Sequence, residues 1–167
     1  KSDATKTSKN YHYSPSYKYS IGVGFVNDKY FKEEYINFRG TYLLDRRNTK
    51  KSQRNFYITG ALSGKSSDNF FYGVHGDWET RRYFTSVSYI NKYTKQKNYI
   101  EKELQVGVAP YLGEYGDIHT WLMIKAKRNT INDNWETYPF IKLFTGDYMV
   151  EIGNKNSHWD LHLMARF

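Results

Sequence analysis

From about Ser16 to its last residue, this chain alternates apolar and polar side chains with period two. The final segment shows it most cleanly: Trp159, Leu161, Leu163, Ala165 and Phe167 fall on one face, Asp160, His162, Met164 and Arg166 on the other. A β-strand points successive side chains to opposite faces, so such a segment has one greasy face and one polar face. Tyr17, Tyr19, Ile21, Val23 and Phe25 alternate with Lys18, Ser20, Gly22 and Gly24. Further alternating runs lie at 36–45, 56–62, 70–79, 83–89, 103–110 and 118–127, with weaker ones at 135–144 and 148–153. Together they predict about ten strands, each close to the roughly 9–11 residues that cross a bilayer. No segment has helical periodicity, and Pro is scarce (3 residues), as a continuous hydrogen-bonded ladder requires. Residues 1–15 show no clear period and read as a flexible N-terminal tail ahead of a single β domain at 16–167.

Composition narrows the class. Cys is absent, which excludes disulfide scaffolds, Cys-ligated metals and thiol nucleophiles. An aromatic content of 19% argues against disorder, since disordered chains are poor in aromatics. No apolar run is long enough for a transmembrane helix. No charged n-region precedes an apolar core, and the chain reads as a mature or trimmed one.

The apolar face decides which solvent it meets. Its aromatics gather near strand ends: Tyr17, Tyr35, Tyr83, Tyr89, Phe70, Trp78, Trp135, Tyr148, Trp159 and Phe167. Aromatic girdles at both membrane interfaces predict that placement, and a soluble barrel with a buried apolar core does not. Connections point the same way. Thr80–Arg82 and Thr145–Asp147 are tight on one side, whereas 92–100 and 128–134 are longer on the other. The basic stretch from Arg46 to Arg54 is expected as a long loop on the short-turn side, against the rule.

The segment Trp159 to Phe167 resembles the C-terminal sorting strand of Gram-negative outer-membrane proteins, which alternates apolar residues and ends on an aromatic. That resemblance implies a closed, antiparallel, up-and-down transmembrane β-barrel of about ten strands, with twelve as the alternative count. It also implies residence in the cell outer membrane, contact with outer-membrane lipid and lipopolysaccharide, and recognition by the barrel-assembly machinery through Trp159, Leu161, Leu163 and Phe167. More loosely, the Tyr-, Trp-, Lys- and Arg-rich composition is similar to small porins of the oligogalacturonate type, a likeness of fold. No Gly lies within Trp159–Phe167, a departure from the usual sorting strand.

In such a barrel the polar face lines the lumen. Lys18, Arg39, Lys125, Lys127, Lys142 and Arg166 are its expected basic members, and Asp77, Glu79 and Asp160 stand among the acidic ones with Asp45, Glu103, Glu136 and Glu151. The signs nearly balance, so most of the net charge of +8 lies outside the lumen. Lys18, Arg39 and Arg166 are expected on neighbouring strands once the barrel closes, forming a basic strip. Such a wall suits a narrow channel for small hydrophilic, anionic or sugar-acid solutes. The alternatives are a non-conducting barrel that hydrolyses lipid A or peptide, or an anchor in an export or adhesion assembly. His75 with Asp77, and Asp160 with His162, would carry the acid–base chemistry of an enzyme. The five His residues are scattered and predict no metal site, no cofactor is expected, and nothing matches a nucleic-acid motif. Lys92, Lys95 and Lys97 are expected to meet lipid phosphates at the outer rim.

Overall fold

The computed structural model describes residues 1–2, 6–29, 31–64, 69–114, 116–155 and 157–166. These form eleven strands: β1 Lys6–Ser16, β2 Tyr19–Asp28, β3 Glu33–Asn48, β4 Ser52–Ser63, β5 Phe70–Thr80, β6 Tyr83–Tyr93, β7 Tyr99–Val108, β8 His119–Asn129, β9 Trp135–Thr145, β10 Tyr148–Lys155 and β11 His158–Ala165. Each pairs antiparallel with the next, giving one up-and-down sheet in sequence order. There is no helix among the described residues.

Stagger accompanies the pairing. One cross-strand row runs Tyr19, Tyr42, Ile58, Val74, Tyr89, Lys102, Arg128, Trp135. It starts at the first residue of β2 and ends at the first residue of β9, which runs the opposite way. The row therefore slides from one end of the sheet to the other, the strand tilt that a curling sheet requires. Curl brings distant strands together. Gln96, after β6, donates to Glu33 of β3 at 3.1 Å, and the rings of Phe31 and Tyr99 lie 6.3 Å apart.

The alternation read from sequence holds on β2 to β11 except past the irregularity in β3, where Asp45, expected inward, is exposed and level with the outward Phe56. Ile21, Phe38, Ile58, Val87, Leu104, Ile124, Ile141 and Leu163 are exposed on the outer face. Soluble monomers rarely expose contiguous apolar patches beyond a few hundred Å². The inner face carries a small apolar cluster, Ala109, Trp121, Met123 and Phe140, with Phe84 and Phe144 packed on it.

Two expectations change. Residues 1–15 contain β1, which pairs with β2 from Lys6↔Asp28 to Tyr13↔Ile21. The long basic loop shrinks to 49–51, because β3 and β4 keep pairing as far as Asn48↔Gln53, past an irregularity between Leu43 and Asp45. Arg46, Arg47 and Arg54 are strand residues. Four connections at that end, 17–18, 49–51, 81–82 and 146–147, are then tight, and the long one is 109–118. The opposite end has 29–32, 64–69, 94–98 and 130–134, with a short link only at 156–157. Phe167, the aromatic expected to end the sorting strand, lies outside the described residues.

Candidate functional site: a polar chamber at the long-loop end

Inward positions near the long-loop end enclose a cavity of about 120 Å³. Its walls come from β1 to β7 and include Lys6, Asn10, Asp28, Glu33, Tyr35, Asn37, Arg39, Phe71, Lys92, Tyr99 and Glu101. Two cross-strand rows build the part around Arg39. The first runs His12, Gly22, Arg39, Ala61, Phe71, Lys92. Gly22 and Ala61 flank Arg39 with almost no side chain, so the long guanidinium arm can lie along the wall. It reaches past Ala61 to the Phe71 ring, 5.5 Å from the centroid. The second row runs Asn10, Gly24, Asn37, Ser63. Gly24 is the residue that makes this row fit, since the Oδ1 atoms of Asn37 and Asn10 stand where its Cβ would be.

Arg39 differs from its basic neighbours. Four inward lysines are each met by an acid: Lys92 by Glu101 at 2.6 Å, Lys125 by Asp160 at 3.2 Å, Lys127 by Glu103 at 3.9 Å and Lys142 by Glu151 at 3.7 Å. Lys155 pairs with Glu136. Among the described residues Arg39 has no carboxylate; its Nη1 donates to the neutral amide oxygen of Asn10 at 3.3 Å. Arg39 Nε and Asn37 Oδ1 are buried without a hydrogen-bond partner. Buried polar atoms are nearly always satisfied, so a donor and an acceptor left open beside one cavity fit a ligand that carries both groups.

Deeper in, Asp160 of β11 accepts from Lys125 of β8 and from the Tyr138 hydroxyl of β9 at 2.6 Å. Lys125 is fully buried, 4.5 Å from the centroid of the Phe140 ring. The Trp121–Met123–Phe140 cluster follows toward the short-turn end. A second cavity of about 340 Å³ lies beyond it, lined by Lys50, Lys51, Arg81, Tyr111, His119 and Trp121 among others.

The remaining sequence candidates spread out. Lys127, Lys142, Asp77 and Glu79 sit at inward positions with Arg39, Lys125 and Asp160. Lys18 is exposed in the β1–β2 turn, and Arg166 is exposed beyond β11. The basic strip expected from Lys18, Arg39 and Arg166 is therefore not assembled on one stretch of wall. His75 and Asp77 lie 3.6 Å apart, and Asp77 also accepts from Asn55 at 2.7 Å. His162 meets Glu151 at 3.1 Å, so the bond expected toward Asp160 goes to a neighbouring strand instead. Lys92 points inward to Glu101, which removes it from the outer rim, while Lys95 and Lys97 are exposed in the loop. Asn10 and Asn37 were not singled out from sequence; the two glycines that bracket the β2 positions, Gly22 and Gly24, are the signal that large neighbours fill that space.

Comparison with protein-family models, with characterised proteins and with solved structures finds no match.

Proposed function

We propose that the chain folds as an outer-membrane β-barrel and works as a narrow channel for small hydrophilic anions, with Arg39 as the group that first meets them. The single observation that carries this is the state of Arg39: half-buried beside a cavity, with no carboxylate among the described residues and a buried Nε left open. A carboxylate would accept from Nε, and a hydroxyl on the same solute would donate to Asn37 Oδ1. A hydroxy acid or sugar acid carries both groups. The exposed apolar outer face supports a lipid environment. In lipid every backbone group must find an internal partner, which favours a closed sheet over an open one.

Selectivity in a planar bilayer tests the proposal. Arg39→Glu should lower anion preference and move the reversal potential toward cation selectivity, and Arg39→Gln should move it less. Reversal potentials unchanged in both variants would remove Arg39 from the conduction path. A second reading has its own support. Trp121, Met123 and Phe140 occupy the interior between the two cavities. A barrel blocked there would hold a solute in the chamber without passing it. A folded protein that is silent in the bilayer yet binds a hydroxy acid through Arg39 would select that reading.

A further inference from the structure

We infer that the gap between β1 and β11 is the slot for a twelfth strand, antiparallel to both, formed by polypeptide joined to the amino side of Lys1. Direction is the first argument. β1 and β11 both run from the long-loop end to the short-turn end. Paired directly they would be parallel, whereas every other ladder in this sheet is antiparallel.

Hydrogen bonding is the second. Ser2 forms antiparallel bridges on both sides, to Thr7 of β1 and to Leu161 of β11. Ser2 N–H donates to Leu161 O at 2.7 Å, and Leu161 N–H donates back to Ser2 O at 2.8 Å. On the other side Ser8 N–H donates to Lys1 O at 2.8 Å, and the Lys1 amino group donates to Ser8 O at 2.9 Å. Reciprocal bonds of this kind are the repeating unit of an antiparallel ladder. Side-chain alternation agrees. Ser2 is level with Thr7 and the outward Leu161, while Lys1 is level with the buried, inward Ser8. Two residues therefore already occupy the slot with strand geometry.

Exposure is the third. Asn10, His12 and Ser14 occupy inward positions of β1 yet are exposed, and Met164 of β11 is 44% exposed. Inward positions at the centre of the sheet, such as Ser86, Met123 and Phe140, are buried. These inward residues at the two edges lack the neighbour that covers the others. An open strand edge in lipid also leaves backbone groups with no partner.

The register follows from the bonds. The residue directly before Lys1 would lie opposite Lys9 and Leu163 and face outward. The second would lie opposite Asn10 and Met164 and face inward. About eight residues would reach the end of β1 at Ser16.

Cysteine cross-linking tests this, because the chain has no Cys of its own. The full chain is refolded into vesicles with an eight-residue extension ahead of Lys1, alternating apolar and polar. One Cys replaces its second residue before Lys1, paired with Met164→Cys. That position is a non-hydrogen-bonded pair, with Cα atoms about 4.5 Å apart, within reach of a disulfide. The expected result is an intramolecular bond, seen as a gel shift lost on reduction, and protection of the extension from added protease. Moving the extension's Cys by one residue turns it to the other face and should abolish the bond. Equal cross-linking from both positions, a direct bond between Asn10→Cys and Met164→Cys, or a bond only between two copies would each overturn the inference. Cross-linking is read without conductance, so its outcome is independent of whether solutes pass.

Discussion

Removing the Asp160 carboxylate should cost far more than removing an acid at the surface, and the structure sets the size of the difference. Lys125 and Asp160 side chains are only 2% and 7% exposed, and they come from strands three apart in the sheet. Tyr138 fills a second site on the same carboxylate oxygen at 2.6 Å. Asp160→Ala leaves the Lys125 ammonium buried with its acid gone, a loss of about 3–5 kcal/mol for a broken buried pair. Tyr138→Phe removes one hydrogen bond to a charged group and should cost about 1.5–3 kcal/mol. Replacing both charges, Lys125→Met with Asp160→Leu, should recover most of the loss, because two buried charges are exchanged for packed apolar groups of similar volume. Asp133→Ala serves as the control: its partner Arg128 is at 2.6 Å, but Asp133 is 69% exposed, so about 0–1 kcal/mol is expected. Urea titration of the vesicle-refolded protein, followed by tryptophan fluorescence, reads all four. If Asp160→Ala costs no more than Asp133→Ala, or the double replacement is worse than the single one, the interior is wet and the reasoning fails.

Other perturbations separate the outer face of the sheet from the inner one. Ile124→Arg places a cation on the outer face beside Val106 and should cost about 2–4 kcal/mol in a bilayer if it lies near the midplane. A soluble protein with the same surface would lose nothing, so unchanged vesicle stability refutes the membrane reading. Gly73→Ala should cost about 1–3 kcal/mol by the same titration, because the backbone of Tyr89 and Ile90 crowds the added Cβ. Gly40→Ala meets nothing within 4 Å and should stay within about 0.5 kcal/mol; equal losses would deny that Gly73 is a close-packing point.

The outer wall was legible in the sequence because its residues are unambiguous: Ile58, Val74 and Val87 against Thr59, His75 and Ser88. β1 was not. Its outward Lys9, Tyr11 and Tyr13 and its inward Ser8, Asn10 and His12 are all weakly polar or charged, so no period stands out. The end of β3 was hidden for another reason. An irregularity between Leu43 and Asp45 shifts the alternation, and the basic run beyond it looks like a loop. Spacing also cannot reveal a pair such as Lys125 with Asp160, which needs the curl of the sheet. The polar-face parity of the bulky Trp121 and Met123 does carry information, since large apolar side chains at inward positions must fill the interior. Trp121 and Met123 became the apolar cluster between the two cavities. Lys18 and Arg166 show the limit of counting by alternation: parity names a face, but a residue in a turn or past a strand end has no wall to line.

The seam and the chamber depend on each other through β1. Asn10 holds the Arg39 guanidinium, and Asn10 is also one of the inward residues left exposed beside the gap. His12, level with Gly22 and Arg39, shares that exposure. A twelfth strand would cover this side of β1 and lower the local dielectric around Arg39. A charge screened by water interacts weakly, and the same charge in a drier wall interacts several-fold more strongly. The selectivity conferred by Arg39 should therefore be larger in the extended chain than in the chain beginning at Lys1. Measuring Arg39→Glu in both backgrounds separates the two ideas. An equal shift would keep Arg39 in the pore but detach it from the seam. No shift in either background would remove Arg39 from the pore and leave the cross-linking result to stand on its own.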